Sequence, residues 1–448
     1  MAFSAKKSIA LLGAAAMLVS VAACGSDTAN SGDSAAKSDG GKTELTLWGW
    51  DGTLPEVIEG FEKKYPDITV KLSNVGTSAE TQTSLNNALA AGKGAPDVAQ
   101  MEYHSITQFA LSDGLEDLTD LAGDYQDFYQ EGTWKGVQVG GKTYGMPLDS
   151  GPNALFYNKE VFDKAGVTEA PKTWDEFYEA AKKIHALGDD YYITSDAGDN
   201  SQSTTFMSLV AQAGGEPFTV DGENVGINLT GDEGTKKTVD YWQKMIDEGL
   251  INTKVTSWSD EWNRGLGDGT LASLVIGAWM PTNLLNGAPG ASGKFRVATV
   301  PQWSDGENVN SENGGSALVM PKGTKNKDAA WKFMDYVSHD AEGIKLRVND
   351  GAFPADNETL KEDYFLKGTE KLTTYFGGQA YNEVLAEAAS QKIGDFQFLP
   401  FWAQAQNTFG DFAGKAYRGE EKLTKSMEDY QKSLVDYGKN QGFTIKEG

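Results

Sequence analysis

Gly136-Val137-Gln138-Val139-Gly140-Gly141-Lys142-Thr143 spells G-x-x-x-x-G-K-[ST], the pattern of a loop that cradles nucleotide phosphates. That chemistry needs a strand entering the loop and a helix leaving it, whose first N–H groups face the phosphates. Here Val137 and Val139 alternate into Gly140-Gly141, and Tyr144 begins a second short strand that stops at Pro147. The spacing predicts a two-residue hairpin turn instead of a nucleotide site. Catalytic patterns are equally thin. His104, His185 and His339 are scattered, with neither H-E-x-x-H nor a Cys/His metal spacing, and no G-x-S-x-G elbow is present. Asp196, Asp199 and Asn200 lack the spacing of a calcium hand and read as a solvated turn. Sixty-four acids guarantee accidental pairs, so a two-carboxylate glycosidase stays open as an alternative. No cofactor and no metal is expected.

Cys24 carries a different chemistry. It is the only cysteine, and it closes an apolar run after Lys6 and Lys7 that ends in Val21-Ala22-Ala23. A positive n-region, an apolar h-region and small residues before a cysteine are the marks of a lipoprotein signal peptide. Residues 1–23 are expected to be removed, leaving Cys24 to carry lipid (a palmitate-bearing anchor) at the new N-terminus. Residues 24–42 hold Ser, Gly, Ala, Asp and Lys with nothing large and apolar, a flexible tether.

The elements that must position any site begin at Leu45-Thr46-Leu47-Trp48, a strand. A helix with Val57, Ile58 and Phe61 on one face ends before Pro66. Ile68-Thr69-Val70-Lys71-Leu72 is the next strand, Leu85, Ala88 and Leu89 mark a helix, and Asp97–Met101 is a strand again. That alternation predicts an α/β fold with a mostly parallel sheet. Thr173-Trp174-Asp175-Glu176 reads as a capping box opening a helix through Phe177, Ala180, Ala181 and Ile184. Residues 273–277, 296–300 and 317–320 read as later strands, and the chain from Lys327 onward as mainly helical.

Composition narrows the partners. Thirty-nine basic and sixty-four acidic residues give a net charge of −25, and loss of Lys6 and Lys7 brings it to −27. Nucleic acid is excluded, because displacing counterions from phosphates needs a basic surface. An anionic membrane would not attract this surface either, so attachment falls to Cys24 alone. Eleven Trp, seventeen Tyr and twenty Phe in a chain only 39 % hydrophobic leave room for an aromatic-lined ligand surface.

Together these pieces resemble the extracellular solute-binding proteins of bacterial ABC sugar importers, the group that includes maltose-binding protein. The likeness runs from Leu45-Thr46-Leu47-Trp48 through Phe61-Glu62-Lys63-Lys64-Tyr65-Pro66-Asp67-Ile68, Gly94-Ala95-Pro96-Asp97-Val98 and the hairpin to Pro147. It continues in Phe156-Tyr157-Asn158-Lys159-Glu160-Val161-Phe162, Pro171–Phe177, Ile276-Gly277-Ala278-Trp279 and Ala329-Ala330-Trp331-Lys332-Phe333. The resemblance implies a two-lobed periplasmic-binding-protein-like fold of type II, a Venus flytrap with its ligand cleft between lobes joined by crossing hinge segments. By the order of motifs, lobe one is 43–148 and 302–337, and lobe two is 149–301 and 338–448. It implies no enzyme but a receptor that captures an oligosaccharide outside the cell and hands it to membrane permease subunits. The receptor itself is expected to be a monomer on the extracellular face of the cytoplasmic membrane.

A sugar presents apolar C–H faces ringed by hydroxyls, which aromatic rings and polar groups receive. Trp50 and Asp51 leave the first strand at its C-terminal end, with Trp48 assigned to the core. Glu102, Tyr103 and His104 follow Met101 at a second strand end, where the resembled family often supplies an aromatic and a polar group. Asp149 lies just past the first crossing, and Trp279 matches the family's Gly-x-Trp turn. Gly314 and Gly315 offer open backbone before a strand. Trp402 resembles a late aromatic platform. Trp258, on the expected helix with Trp262, is taken to face the cleft and Trp262 the core. A receptor for a peptide or polyamine is the remaining alternative and predicts charge where these aromatics stand.

Overall fold

The computed structural model describes residues 42–394 and 396–448. The expected signal peptide, Cys24 and the expected tether up to residue 41 lie outside the described residues. Among the described residues no helix is long and apolar enough to cross a membrane.

Four strands from the first third of the chain and one from residues 316–319 build a five-stranded sheet. β1 (Thr43–Trp48) is central to β2 (Ile68–Ser73) and β3 (Val98–Glu102), parallel to both. Ser316–Val319 then adds beside β3 and Gly145–Pro147 beside that, the added strand running antiparallel to each neighbour. Alternation decides which side chains enter the core: Leu45 and Leu47 are buried while Glu44 is exposed. α1 (Leu54–Lys64) begins with Pro55 in its first turn and ends on Lys63 and Lys64, both favourable positions. Its buried face is Leu54, Val57, Ile58 and Phe61, and Phe61 meets Phe333 edge to face at 5.1 Å. Burying each such side chain contributes roughly 1.5–3 kcal/mol. α2 (Ser78–Ala90) carries a full capping box between Thr77 and Glu80.

Gln138–Val139 pairs with Lys142–Thr143 as a hairpin. Gly140 and Gly141 both take positive φ, 59° and 78°, which a type I′ turn demands. Lys142 pairs with Asp117 at 2.8 Å, and no helix leaves the turn.

The second sheet departs from the parallel expectation. Asn153–Asn158 sits between Ser273–Gly277 and Phe295–Thr299, antiparallel to both. The reason is topological: both flanking strands run back towards the segment from which Asn153–Asn158 sets out. The central strand is covered on both faces. Leu155 joins a core with Trp174, Phe177, Trp402 and Phe409, while Ala154 and Phe156 join another with Trp262, Leu284 and Phe376. At Thr173 the hydroxyl accepts from Glu176 N–H as expected, but the Glu176 carboxylate reaches past to Lys172 N–H at 2.7 Å.

Two segments pass side by side between the sheets. Leu148 N–H donates to Ser316 O (2.8 Å), Asn313 N–H to Gly151 O (2.7 Å) and Asn153 N–H to Ser311 O (3.1 Å). A third passage joins the helix Lys327–Ser338, whose Tyr336 lies in the core of the five-stranded sheet with Phe61 and Phe333, to Ala341–Asn349, whose Ile344 lies in the core with Phe156 and Trp262.

Candidate functional site

An aromatic wall stands beside the double crossing. Trp279 follows the strand Ser273–Gly277, and its Nε1–H donates to Asn313 O at 2.8 Å. Gly314 and Gly277 leave room for that ring; a Cβ on Gly314 would stand 3.2 Å from Nε1 and one on Gly277 only 2.3 Å. Trp258 stacks on Trp279, with centroids 5.8 Å apart and planes 25° apart, and touches Trp262 at 5.0 Å. Trp258 is 48 % exposed and has φ +69°. A bulky residue in that conformation costs of order 1–3 kcal/mol, and such strain concentrates at binding sites. This corrects the helical expectation for Trp258. The helix is Asp260–Asp268, capped by Ser259 through Trp262 N–H, so Trp258 precedes the cap and leaves Trp262 alone in the core.

Tyr103 and His104 open α3 (Tyr103–Leu111), which leaves β3. The Tyr103 ring covers Gly315 (φ +89°), where an added Cβ would come within 2.8 Å of it. Its hydroxyl donates to Asp149 O at 2.7 Å, and its N–H to Gly315 O at 3.3 Å. Gly314 and Gly315 thus form the floor between two aromatic groups, Trp279 on one side and Tyr103 on the other. Neither glycine can carry a side chain without displacing a ring.

Behind Tyr103, Glu102 Oε2 lies 2.9 Å from His104 Nδ1. The His104 ring meets Phe398 at 5.6 Å and Trp402 edge to face at 6.2 Å. Trp402 heads the helix Trp402–Tyr417, is wholly buried, and also packs on Phe398 and Phe218. Neither face of its ring is open, so in this arrangement it is no stacking platform. His104 Nε2 and Trp402 Nε1 are both buried without a hydrogen-bond partner. Leaving such groups unsatisfied costs about 1–3 kcal/mol each.

Trp50 and Asp51 are fixed by a residue that sequence reasoning missed. Gln100 Oε1 accepts from Trp50 N–H (2.9 Å) and Asp51 N–H (3.0 Å), and its Nε2 donates to Ser316 Oγ at 3.0 Å. A lone amide in the apolar run Val98–Met101 was the available signal. Asp51 turns to Arg347 (2.7 Å), which also donates to Leu148 O at 2.6 Å. Burial alone would raise the Asp51 carboxyl, but Arg347 and the two Thr53 bonds hold it below the usual range. Nothing in the local sequence of Arg347 or Glu312 announces them.

Asp149 and Glu312 sit on the paired crossings. Asp149 accepts from Ser316 Oγ at 2.8 Å, and Glu312 from Gly151 N–H at 2.7 Å and from Ser150 Oγ. Burial, then the charge of Asp51, pushes Asp149 up to about 7. Glu312 also rises to about 7, through burial and, less strongly, Asp149. Asp196 is no solvated turn: its carboxylate is buried and accepts from Trp242 Nε1–H and Tyr417 O–H, each at 2.7 Å. A cavity of about 710 Å³ elsewhere, lined by His185, Lys254 and Arg418 among others, includes none of the predicted residues.

The structure therefore brings Trp258, Trp279, Gly314, Gly315, Tyr103 and Asp149 into one contiguous arrangement, continued by Glu102, His104 and Trp402. Trp50 and Asp51 join it through Gln100 and Ser316, and Asp51 also through Arg347 and Leu148. Paired α/β bodies, double crossing segments and aromatic rings around a glycine floor define a two-lobed binding protein. Residues 49–343 match the bacterial extracellular solute-binding protein family, and the chain belongs to it. An arabinooligosaccharide-binding protein of Bacillus subtilis (strain 168) is 30 % identical over 357 residues, 77 % of this chain and 81 % of its own. Among solved structures, the ABC transporter-associated binding protein of B. animalis subsp. lactis Bl-04, in complex with β-1,6-galactobiose, is 50 % identical with a TM-score of 0.83. The alignment covers 91 % of this chain and all of that one. The galacto-N-biose-/lacto-N-biose I-binding protein of Bifidobacterium longum, in complex with lacto-N-biose, is 29 % identical with a TM-score of 0.79, over the same shares.

Proposed function

We propose that this chain is the receptor of an ABC importer, capturing a neutral oligosaccharide between its lobes and delivering it intact to the permease. The observation that carries the reading is the Trp258–Trp279 stack: an exposed ring held in a left-handed backbone beside the crossings. A sugar face laid on that ring buries C–H surface, while polar groups on the far side receive its hydroxyls. Because only the closed form meets ligand from both lobes, binding shifts the open–closed equilibrium without making or breaking a bond. The half-identical relative solved with β-1,6-galactobiose makes a short galactoside the first ligand to test.

The lobes of this reading are 43–148 with 314–337, and 149–313 with 338–448. Residues 302–313 move to lobe two because Trp303 packs on the core containing Trp174, and Val309–Asn310 pairs with Lys392–Ile393. In the same reading Cys24 carries the lipid that holds a monomeric receptor outside the cell, and the tether lets it meet the permease.

Thermal denaturation across a panel of neutral oligosaccharides, with chromatography of the recovered sugar, tests this. A raised melting temperature with intact sugar is expected. Cleaved sugar would turn the reading towards a hydrolase, and no shift with any sugar towards a non-sugar solute.

A further inference from the structure

We propose that His104 and Trp402 together read one hydroxyl of the bound sugar, spanning the cleft from opposite lobes. The inference rests on the receptor reading above and names the part of the ligand that this corner recognises. His104 stands at the start of α3 in the first lobe, and Trp402 at the start of Trp402–Tyr417 in the second. Each is at least nine-tenths buried, at 3 % and 0 % exposed, and each has a ring nitrogen with no partner.

Their chemistries are complementary. Nδ1–H donates to Glu102 Oε2 at 2.9 Å, and in that tautomer Nε2 is the acceptor of the ring. The indole Nε1–H can only donate. A hydroxyl does both, giving its proton to His104 and receiving one from Trp402. The two rings meet edge to face with centroids 6.2 Å apart, which puts both at one corner of the site. An ether or a carbonyl oxygen could satisfy only the indole, and an ammonium group only the imidazole. Phe398 packs on both rings, at 5.6 Å from His104 and 4.9 Å from Trp402, and its apolar ring disfavours a charged group there. A trapped water has the same donor–acceptor character, so the source must be separated by experiment.

Affinity of the protein for β-1,6-galactobiose and for its monodeoxy series, each lacking one hydroxyl, is the test. One deoxy analogue is expected to bind about tenfold to a hundredfold more weakly than the parent. In His104→Phe and in Trp402→Phe, that analogue and the parent should bind within about threefold of each other, because the reader is gone. If every analogue keeps its wild-type penalty in both variants, the pair does not read the sugar and the proposal is overturned. A fall in ligand-free melting temperature shared non-additively by the variants, with no analogue coupled, assigns a buried water and also overturns it. The deoxy series on wild-type protein stands even if a variant fails to fold. Wild-type protein that ignores every oligosaccharide overturns the receptor reading itself, a result distinct from sugar binding that both substitutions leave untouched.

Discussion

Trp258 stacks on Trp279, centroids 5.8 Å and planes 25° apart, from a backbone at φ +69°, a conformation few bulky residues adopt. Stability and binding are therefore opposed at this position. Of two variants that both lose the ring, Trp258→Gly should be more stable without ligand than Trp258→Ala by about 1 kcal/mol, since glycine accepts that φ without strain. Either change should weaken sugar binding by about tenfold or more through loss of the stacking face. Urea denaturation and a binding titration on one preparation of each check both signs.

Asp51 and Arg347 form a buried pair at 2.7 Å that joins the end of the first strand to the third passage between the lobes. Arg347→Met leaves Asp51 buried and uncompensated, and should cost about 3–5 kcal/mol in urea unfolding. Adding Asp51→Asn to that variant should recover part of the loss, because the stranded charge is then removed.

Asp149 and Glu312, both held near 7, set a pH dependence whose sign follows from linkage. Their ordinary values are 3.8 and 4.5, so between about pH 4 and 7 the folded chain binds more protons than the unfolded one. Their contribution is full at the acid end of that window, falls as pH rises through it, and is constant above it. Asp196, raised to about 6 by burial, acts in the same direction. Glu312→Gln should therefore gain in melting temperature relative to wild type on going from about pH 5 to about pH 8. An unchanged difference across that range would refute the assignment.

Gly315→Ala meets two obstacles, φ +89° and the Tyr103 ring at 2.8 Å from the new methyl. Gly293 has a similar φ of +84° with nothing within 4 Å, so Gly293→Ala isolates the backbone cost. Gly315→Ala should be the more destabilising by roughly 1 kcal/mol or more and should weaken ligand binding, while Gly293→Ala leaves affinity unchanged. Thermal unfolding and a titration of both variants separate the two effects.

Much of this architecture was legible in the sequence because it rests on short-range rules. Alternation in Leu45–Trp48, the helical spacing of Val57, Ile58 and Phe61, and the Gly140-Gly141 turn each fix their element locally. The antiparallel second sheet was not legible, since strand direction there follows from where the chain must return. Trp258 was misassigned to a helix because a four-residue spacing to Trp262 cannot reveal a cap at Ser259 or a positive φ. The site's polar supports were hidden for the same reason. Arg347 reaches Asp51 across 296 residues, and Glu312 reaches Gly151 across 161, distances over which local pattern carries no information. Trp402 was read as a late aromatic platform, yet its ring is enclosed and only its N–H is left without a partner.

Tryptophan emission of wild-type protein and Trp258→Phe, titrated with β-1,6-galactobiose, tests the central claim most directly. The account predicts a saturable change in wild type with the sugar recovered intact, and a clearly weaker apparent affinity in the variant. Identical titrations, or no response in wild type to this or any other oligosaccharide, would contradict it.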